Sequence, residues 1–97
     1  MPVYLIIDIT IIDQDVYEEY VARVSAVMEQ YGGAYLVRTS QVATLAGDWK
    51  PERIIVVEFD SSDQVQEFYA SPEFLELAPL REQSTASRII LVEGYEP

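Results

Sequence analysis

The amino-acid sequence predicts an α+β domain in which helices cover one face of an antiparallel sheet. Two observations lead to this fold class: β-branched segments alternate with amphipathic ones, and their order is strand, helix, strand, strand, helix, strand. That order is typical of the ferredoxin-like βαββαβ arrangement. A chain of 97 residues, 49% of them hydrophobic, suits a single domain over residues 1–97 with its own core.

The first strand and the first helix have the clearest patterns. Val3 to Ile9 is almost continuously apolar, which is typical of a strand buried on both faces. Asp13 can cap the helix that follows, because its carboxylate can accept a free amide proton of the first turn. Gly32-Gly33 ends this helix. Spacings of three and four residues define its apolar face, which consists of Tyr17, Val21, Val24, Met28 and Tyr31.

The next two strands are separated by a turn. Ala34 to Thr39 is the second strand, and we expect it to resume at Val42 to Leu45 after a short polar break. A turn follows at Gly47 to Pro51. Arg53 to Phe59 is the third strand, and its run of Ile and Val indicates that both of its faces are also apolar.

Two helix starts precede the last strand. Ser61 and Gln64 form a capping box, and the segment Ser71-Pro72-Glu73 places proline at a first helical position, where the missing amide proton costs nothing. We expect Pro79 to kink or restart the second of these helices. Arg88 to Glu93 is the fourth strand.

The composition excludes several classes of function. Without cysteine or histidine there is no thiolate or imidazole to serve as a nucleophile, a base or a metal ligand. Six basic residues against 17 acidic ones give a formal charge of −11, which disfavours nucleic acids and anionic membranes. We predict no cofactor and no metal. We also predict a cytoplasmic location, because neither a basic signal segment nor a membrane-length apolar run is present.

Apolar residues on both faces of the strands predict a homodimer. Helices on one side of the sheet leave Tyr4, Ile6, Ile54 and Val56 on the other, in a patch larger than monomers usually expose. Pairing two sheets face to face around a twofold axis would bury both patches. The alternative is a curled sheet that is covered by its own loops.

Five segments have a recognisable combined spacing: Gly32-Gly33-Ala34-Tyr35-Leu36-Val37-Arg38, Gly47-Asp48-Trp49-Lys50-Pro51-Glu52-Arg53, Glu58-Phe59, Tyr69-Ala70-Ser71-Pro72-Glu73-Phe74 and Arg81. Together they resemble the domain-of-unknown-function 1330 family of the dimeric α+β barrel superfamily. The resemblance covers essentially the whole chain and implies a ferredoxin-like protomer in a barrel-forming dimer. It implies no reaction, because the family has no established one.

The resemblance also marks candidate site residues by position. The family tends to have Glu where this chain has Ala46, and a Trp-Tyr pair where it has Phe68-Tyr69. A functional acid at the first of these places would therefore be missing here. With Tyr69 included, the candidates from the resemblance are Tyr35, Arg38, Trp49, Arg53, Glu58, Tyr69, Ser71 and Arg81.

Asp8 adds a carboxylate that we expect to pair with Glu58. We expect the first and third strands to be adjacent and parallel, so that the two carboxylates lie at one end of the sheet and on one face. Close together they would raise each other's proton affinity, which prepares an acid or a base, and Arg38 could reach them. The alternatives are a structural ion pair and carboxylates that reach solvent at strand ends.

Arg38, Arg53 and Arg81 make up half of the six cations. Guanidinium groups suit the recognition of carboxylate or phosphate, but with 17 acidic residues nearby we expect them to pair with carboxylates of the protein itself. Trp49 in its turn could be a lid over a pocket or, as we favour, an anchor at the dimer interface.

Two functions remain open from the sequence. The first is a dimer that binds a small polar or anionic organic ligand in a cleft at the sheet end, with or without cofactor-free catalysis. The second is a non-catalytic structural or regulatory dimer with no turnover. The composition excludes the histidine-dependent members of the superfamily as models, so a catalyst here would have to use Asp8, Glu58, a tyrosine or an arginine.

Overall fold

The computed structural model describes all residues from Met1 to Pro97. The predicted α+β fold and the predicted order of its elements are confirmed, with two helices in the second helical segment. The elements are β1 (Val3–Ile11), α1 (Gln14–Gln30), β2 (Ala34–Thr39), β3 (Arg53–Phe59), α2 (Ser62–Ala70), α3 (Pro72–Ser84) and β4 (Thr85–Glu93).

The four strands form one sheet in the order β2-β3-β1-β4, and every neighbouring pair is antiparallel. Side chains alternate between two faces. One face, here called the covered face, packs against the helices and supplies much of the core, including Leu5, Val57 and Phe59. The other, here called the open face, carries Ile6 and Val56, which are only half-buried.

The expectation that β1 and β3 run parallel is wrong. β2 runs in the same direction as β1, and β3 turns back from β2 and is inserted between them, so β3 must run opposite to β1. In the observed register Tyr4 lies opposite Glu58 and Asp8 lies opposite Ile54. This register determines which polar side chains can meet.

The predicted helix starts are confirmed. The Asp13 carboxylate accepts the amide proton of Val16 at 3.2 Å, at the start of α1. After α1, Gly32 has φ of +92°, in the left-handed region that favours glycine. A Cβ atom on Gly33 would lie 2.6 Å from Cγ of Met28 and 2.9 Å from Cζ of Phe59, so the close approach of the backbone to these two side chains requires glycine.

One expectation about the elements is wrong, and one of the two alternatives for Pro79 is excluded. No strand resumes at Val42 to Leu45, because β3 begins at Arg53, opposite the end of β2, and leaves those residues no partner. Nor does Pro79 restart a helix, since α3 is continuous from Pro72 to Ser84. Pro79 has no amide proton to donate to the carbonyl of Leu75, four residues earlier in the helix. Leu75 is exposed, so water can donate a hydrogen bond to that carbonyl instead.

Candidate ligand-binding site

A small cavity lies between the covered face and the helices. Its volume is about 40 Å³, which is room for no more than a few water molecules. Of the 17 residues that line it, 13 are hydrophobic and none is acidic. The polar groups around it belong to Tyr17, Tyr20, Tyr35, Arg38, Tyr69, Arg81, Thr85 and Ser87.

The tyrosines of the cavity come from three elements. Tyr20 lies on α1, Tyr35 on β2 and Tyr69 on α2, and the Tyr35 hydroxyl is 3.2 Å from Oγ of Ser25. Burial raises the pKa of Tyr20 and of Tyr69 above that of an ordinary phenol, although the positive charge of Arg81 acts in the opposite direction. Both therefore stay neutral at physiological pH and can donate a hydrogen bond.

The two arginines of the cavity lie against aromatic rings. The guanidinium carbon of Arg38 is 5.1 Å from the ring centre of Tyr35, and that of Arg81 is 5.8 Å from the ring centre of Phe74. These are cation–π distances, and such contacts orient a guanidinium group without neutralising its charge.

The expectation that Arg38, Arg53 and Arg81 pair with carboxylates of the protein is wrong. The two ion pairs of the structure join Arg23 to Glu76 at 3.9 Å and Arg88 to Asp8 at 2.7 Å. These three arginines lack carboxylate partners because the acidic side chains of the helices point outward and none lines the cavity.

Arg53 lies beside the cavity and bonds two hydroxyl groups. Its Nε donates to the Tyr17 hydroxyl and its Nη1 donates to Oγ of Ser40, both at 3.1 Å. Neither acceptor is a carboxylate, and no carboxylate of the protein lies within ion-pair distance of this guanidinium group.

Asp8 lies on the open face with a different set of partners. Its Oδ2 accepts a hydrogen bond from Nε1 of Trp49 at 2.9 Å and another from Nη2 of Arg88 at 2.7 Å. The Trp49 bond and then the Arg88 bond hold the pKa of Asp8 below its ordinary value, outweighing the effect of burial. Only 13% of the Asp8 side chain is exposed.

The predicted carboxylate pair at one end of the sheet is wrong. Asp8 and Glu58 share the open face, but Glu58 lies opposite Tyr4, four residues along β1 from Asp8. Strand geometry puts the two positions about 13 Å apart. Arg38 lies opposite the buried Ile55 and lines the cavity on the covered face, so it cannot join either carboxylate.

Ser71 has a structural place. It is 3% exposed and does not line the cavity; its hydroxyl donates to the Phe68 carbonyl at 2.7 Å and accepts the Phe74 amide proton at 3.1 Å. Of the residues predicted for a site, the fold brings together around the cavity Tyr35, Arg38, Tyr69 and Arg81, with Arg53 next to them.

The sequence does not single out several residues of these clusters, among them Tyr20 and Arg88. Tyr20 belongs to the cavity, but its spacing on α1 is equally typical of a core residue. Arg88 is a partner of Asp8, and the antiparallel register of β1 and β4, which places the two opposite each other, is the signal that identifies it.

The structure has no group of three or more acidic side chains placed so that they could bind a metal ion. None of the helices is long and apolar enough to cross a membrane.

The four-stranded antiparallel sheet with helices on one face defines a ferredoxin-like α+β protein. Within that class, the chain belongs to the family described as Domain of unknown function (DUF1330), whose model matches residues 2–95. The family resemblance of the sequence is thereby confirmed.

Solved structures with a similar fold come from several bacteria. A protein of unknown function from Rhodopseudomonas palustris has a TM-score of 0.85 and 18% identity, over 99% of this chain and 84% of that one. SnoaB, a cofactor-independent oxygenase from Streptomyces nogalater, has a TM-score of 0.70 and 18% identity, over 99% and 95%. A protein of unknown function from Bacteroides fragilis, described as dimeric, has a TM-score of 0.64 and 14% identity, over 96% of each chain. No curated protein matches the chain.

Proposed function

We propose that the cavity between the covered face and the helices binds a small organic anion. The observation that supports this most is the difference in charge between the cavity lining and the whole chain. In a chain with a formal charge of −11, none of the cavity residues is acidic, whereas two of the five arginines, Arg38 and Arg81, line it. Arginines without carboxylate partners beside an apolar cavity are suited to an anionic ligand with an apolar body.

The polar groups of the cavity can donate hydrogen bonds to the oxygen atoms of an anionic ligand. The neutral phenols of Tyr20 and Tyr69 can donate, as can the guanidinium groups of Arg38 and Arg81. The aromatic walls supply the apolar contact. Since the cavity holds only a few water molecules, it must widen to admit an organic ligand. Arg38, on the edge strand β2, is the exposed residue among those that line it, and we propose that its side chain moves outward.

The proposal is binding, without an assigned reaction. Guanidinium groups and phenols with raised pKa values do not accept protons at physiological pH, and the cavity has no carboxylate to serve as a base. SnoaB is a cofactor-independent oxygenase of similar fold. At 18% identity this likeness does not transfer its reaction to this chain.

We further propose that the protein is a homodimer paired through the open face, as the sequence predicts. On that face the Ile90 side chain is 59% exposed. The loop between β2 and β3 reaches this face through Trp49 and lies beside Ile6 and Ile54, which are half-buried. Its own Leu45 is 97% exposed, so apolar surface remains on this side of the molecule. The protein of similar fold from Bacteroides fragilis is described as dimeric, which supports a dimer without indicating the paired face. The cytoplasmic location stays a prediction.

Binding of matched carboxylates and amides tests the ligand proposal. Phenylacetate and hexanoate should bind by isothermal titration calorimetry, and phenylacetamide and hexanamide should bind about tenfold more weakly, since one charged hydrogen bond contributes roughly 1.5–3 kcal/mol. Arg81→Gln should weaken carboxylate binding by a similar factor. Arg23→Gln is the control, because Arg23 lies outside the cavity. Equal affinity for acids and amides would contradict the proposal.

A further inference from the structure

A second depression adjoins the cavity on the helix side of the sheet. This depression, here called the outer groove, lies between the first half of α1 and the adjoining ends of β2 and β3, and its volume is about 440 Å³. The outer groove and the cavity have three lining residues in common, Tyr17, Val21 and Arg38. A molecule bound in the cavity would therefore extend into the groove once the Arg38 side chain moves.

Arg53 lines the outer groove and is held in one orientation. Its bonds to the hydroxyl groups of Tyr17 and Ser40 use Nε and Nη1 and leave both N–H groups of Nη2 free. A guanidinium group fixed in this way can bind a carboxylate with little further loss of side-chain entropy.

The groove contains one acidic residue, Glu18, and it does not neutralise the arginines. Glu18 accepts a hydrogen bond from Gln14 at 3.3 Å and forms no ion pair with Arg38 or Arg53. Arg53 is only half-exposed, so part of its hydration is lost without a compensating charge. An anion in the groove would supply that charge.

We infer that the ligand is a small organic dianion, whose second anionic group binds in the outer groove between Arg53 and Arg38. This inference rests on the proposed function and makes it more specific. Arg81 serves the inner anionic group next to Tyr20 and Tyr69, and Arg38 lies at the junction of the two compartments. A ligand with a short apolar body and an acidic group at each end fits a site that is positively charged at both ends and aromatic between them. The ligand class is thus the dicarboxylates and related diacids.

Flexible diacids and their monomethyl esters test this inference, because each ester keeps the chain length and removes one charge. The probes are the α,ω-dicarboxylates from succinate to suberate, titrated calorimetrically into the wild-type protein and into Arg53→Gln. We expect the wild type to prefer at least one diacid over its monoester by about tenfold. Arg53→Gln should abolish this preference by weakening the diacid alone. Arg23→Gln, outside both compartments, should leave it unchanged.

Two further variants keep the test decisive if Arg53→Gln folds poorly. Ser40→Ala removes one hydroxyl that orients Arg53 and should reduce the preference for the diacid several-fold, and Arg53→Lys, which keeps the charge without the fork, should give an intermediate preference. Equal loss of diacid and monoester binding in these variants would mean that Arg53 is only structural, and would overturn the inference.

The outcomes separate this inference from the proposed function. Equal binding of diacid and monoester by the wild type would overturn the dianion and leave the anion-binding cavity in place. Failure of the wild type to bind any of these acids or the simple carboxylates would overturn both.

Discussion

Asp8 illustrates how much the surroundings of one side chain determine its charge. Two donors, Nε1 of Trp49 and Nη2 of Arg88, bond the same carboxylate oxygen and lower the pKa of Asp8. An Asp in the unfolded chain has a pKa of about 3.9. Because the folded value is lower, ionised Asp8 stabilises the fold above that pH, and this contribution is lost as the pH falls through the folded pKa.

At the residue scale, we predict that Asp8→Asn lowers the free energy of unfolding by about 1 kcal/mol at pH 7, since it weakens two hydrogen bonds of which one partner, Arg88, is largely exposed. Urea unfolding of the variant and the wild type over a pH series measures the difference, which should shrink towards zero as Asp8 is protonated. Asp48→Asn, in the exposed loop, is the control. A difference that stays constant down to the lowest pH would contradict this account.

At the scale of elements, the joint between α2 and α3 rests on a single residue. Ser71 ends one helix and caps the next, and its buried hydroxyl both donates and accepts a hydrogen bond. The joint holds Phe68 and Phe74 with their ring centres 4.8 Å apart, at the wall of the cavity. The sequence resemblance marks Ser71 as a site candidate, but these bonds engage its hydroxyl fully within the fold.

We predict that Ser71→Ala lowers the free energy of unfolding by about 2 kcal/mol, because the cap is lost and the Phe74 amide is left buried without its acceptor. Chemical unfolding followed by circular dichroism measures this loss. Ser62→Ala, at an exposed position in the first turn of α2, should change stability by much less. Similar effects of the two variants would show that the Ser71 joint is unimportant.

At the scale of the whole molecule, the two faces of the sheet have different environments. The covered face contributes to a core of 14 buried residues that the helices complete. The open face has no such layer, and its apolar side chains remain accessible in the single chain. A second copy of the chain would supply the missing layer.

We predict that the wild-type protein has about twice its chain mass of 11.0 kDa in size-exclusion chromatography with light scattering. Ile90→Glu should make it a monomer, because it places a charge on the apolar open face that forms the proposed interface. Leu75→Glu is the matched control, since Leu75 is also 59% exposed but lies on the outer side of α3. A wild-type monomer at micromolar concentration would refute the dimer.

The sequence predicted several residues of the candidate site, but not how those residues are arranged relative to the carboxylates. Arg38, Arg81, Tyr35 and Tyr69 were all candidates from the sequence, and they do line one cavity. The carboxylates that Arg38 was expected to reach, Asp8 and Glu58, lie on the opposite face of the sheet. Alternation along a strand indicates which residues share a face, but it does not say in which direction the neighbouring strand runs.

The sequence by itself determined the local structure: the helix starts at Asp13, Ser61 and Ser71, and the strands Ala34–Thr39 and Arg53–Phe59. These depend on residues a few positions apart, through caps and periodicity. Only the tertiary structure decided which charges meet, because those contacts join distant parts of the chain. Asp8 bonds Trp49 across 41 positions and Arg88 across 80. Strand direction, set for β3 by its insertion between β1 and β2 and for β4 by its pairing with β1, placed Arg88 opposite Asp8 and kept Glu58 away from it. The acidic side chains of the helices point outward, which left Arg38, Arg53 and Arg81 without carboxylates.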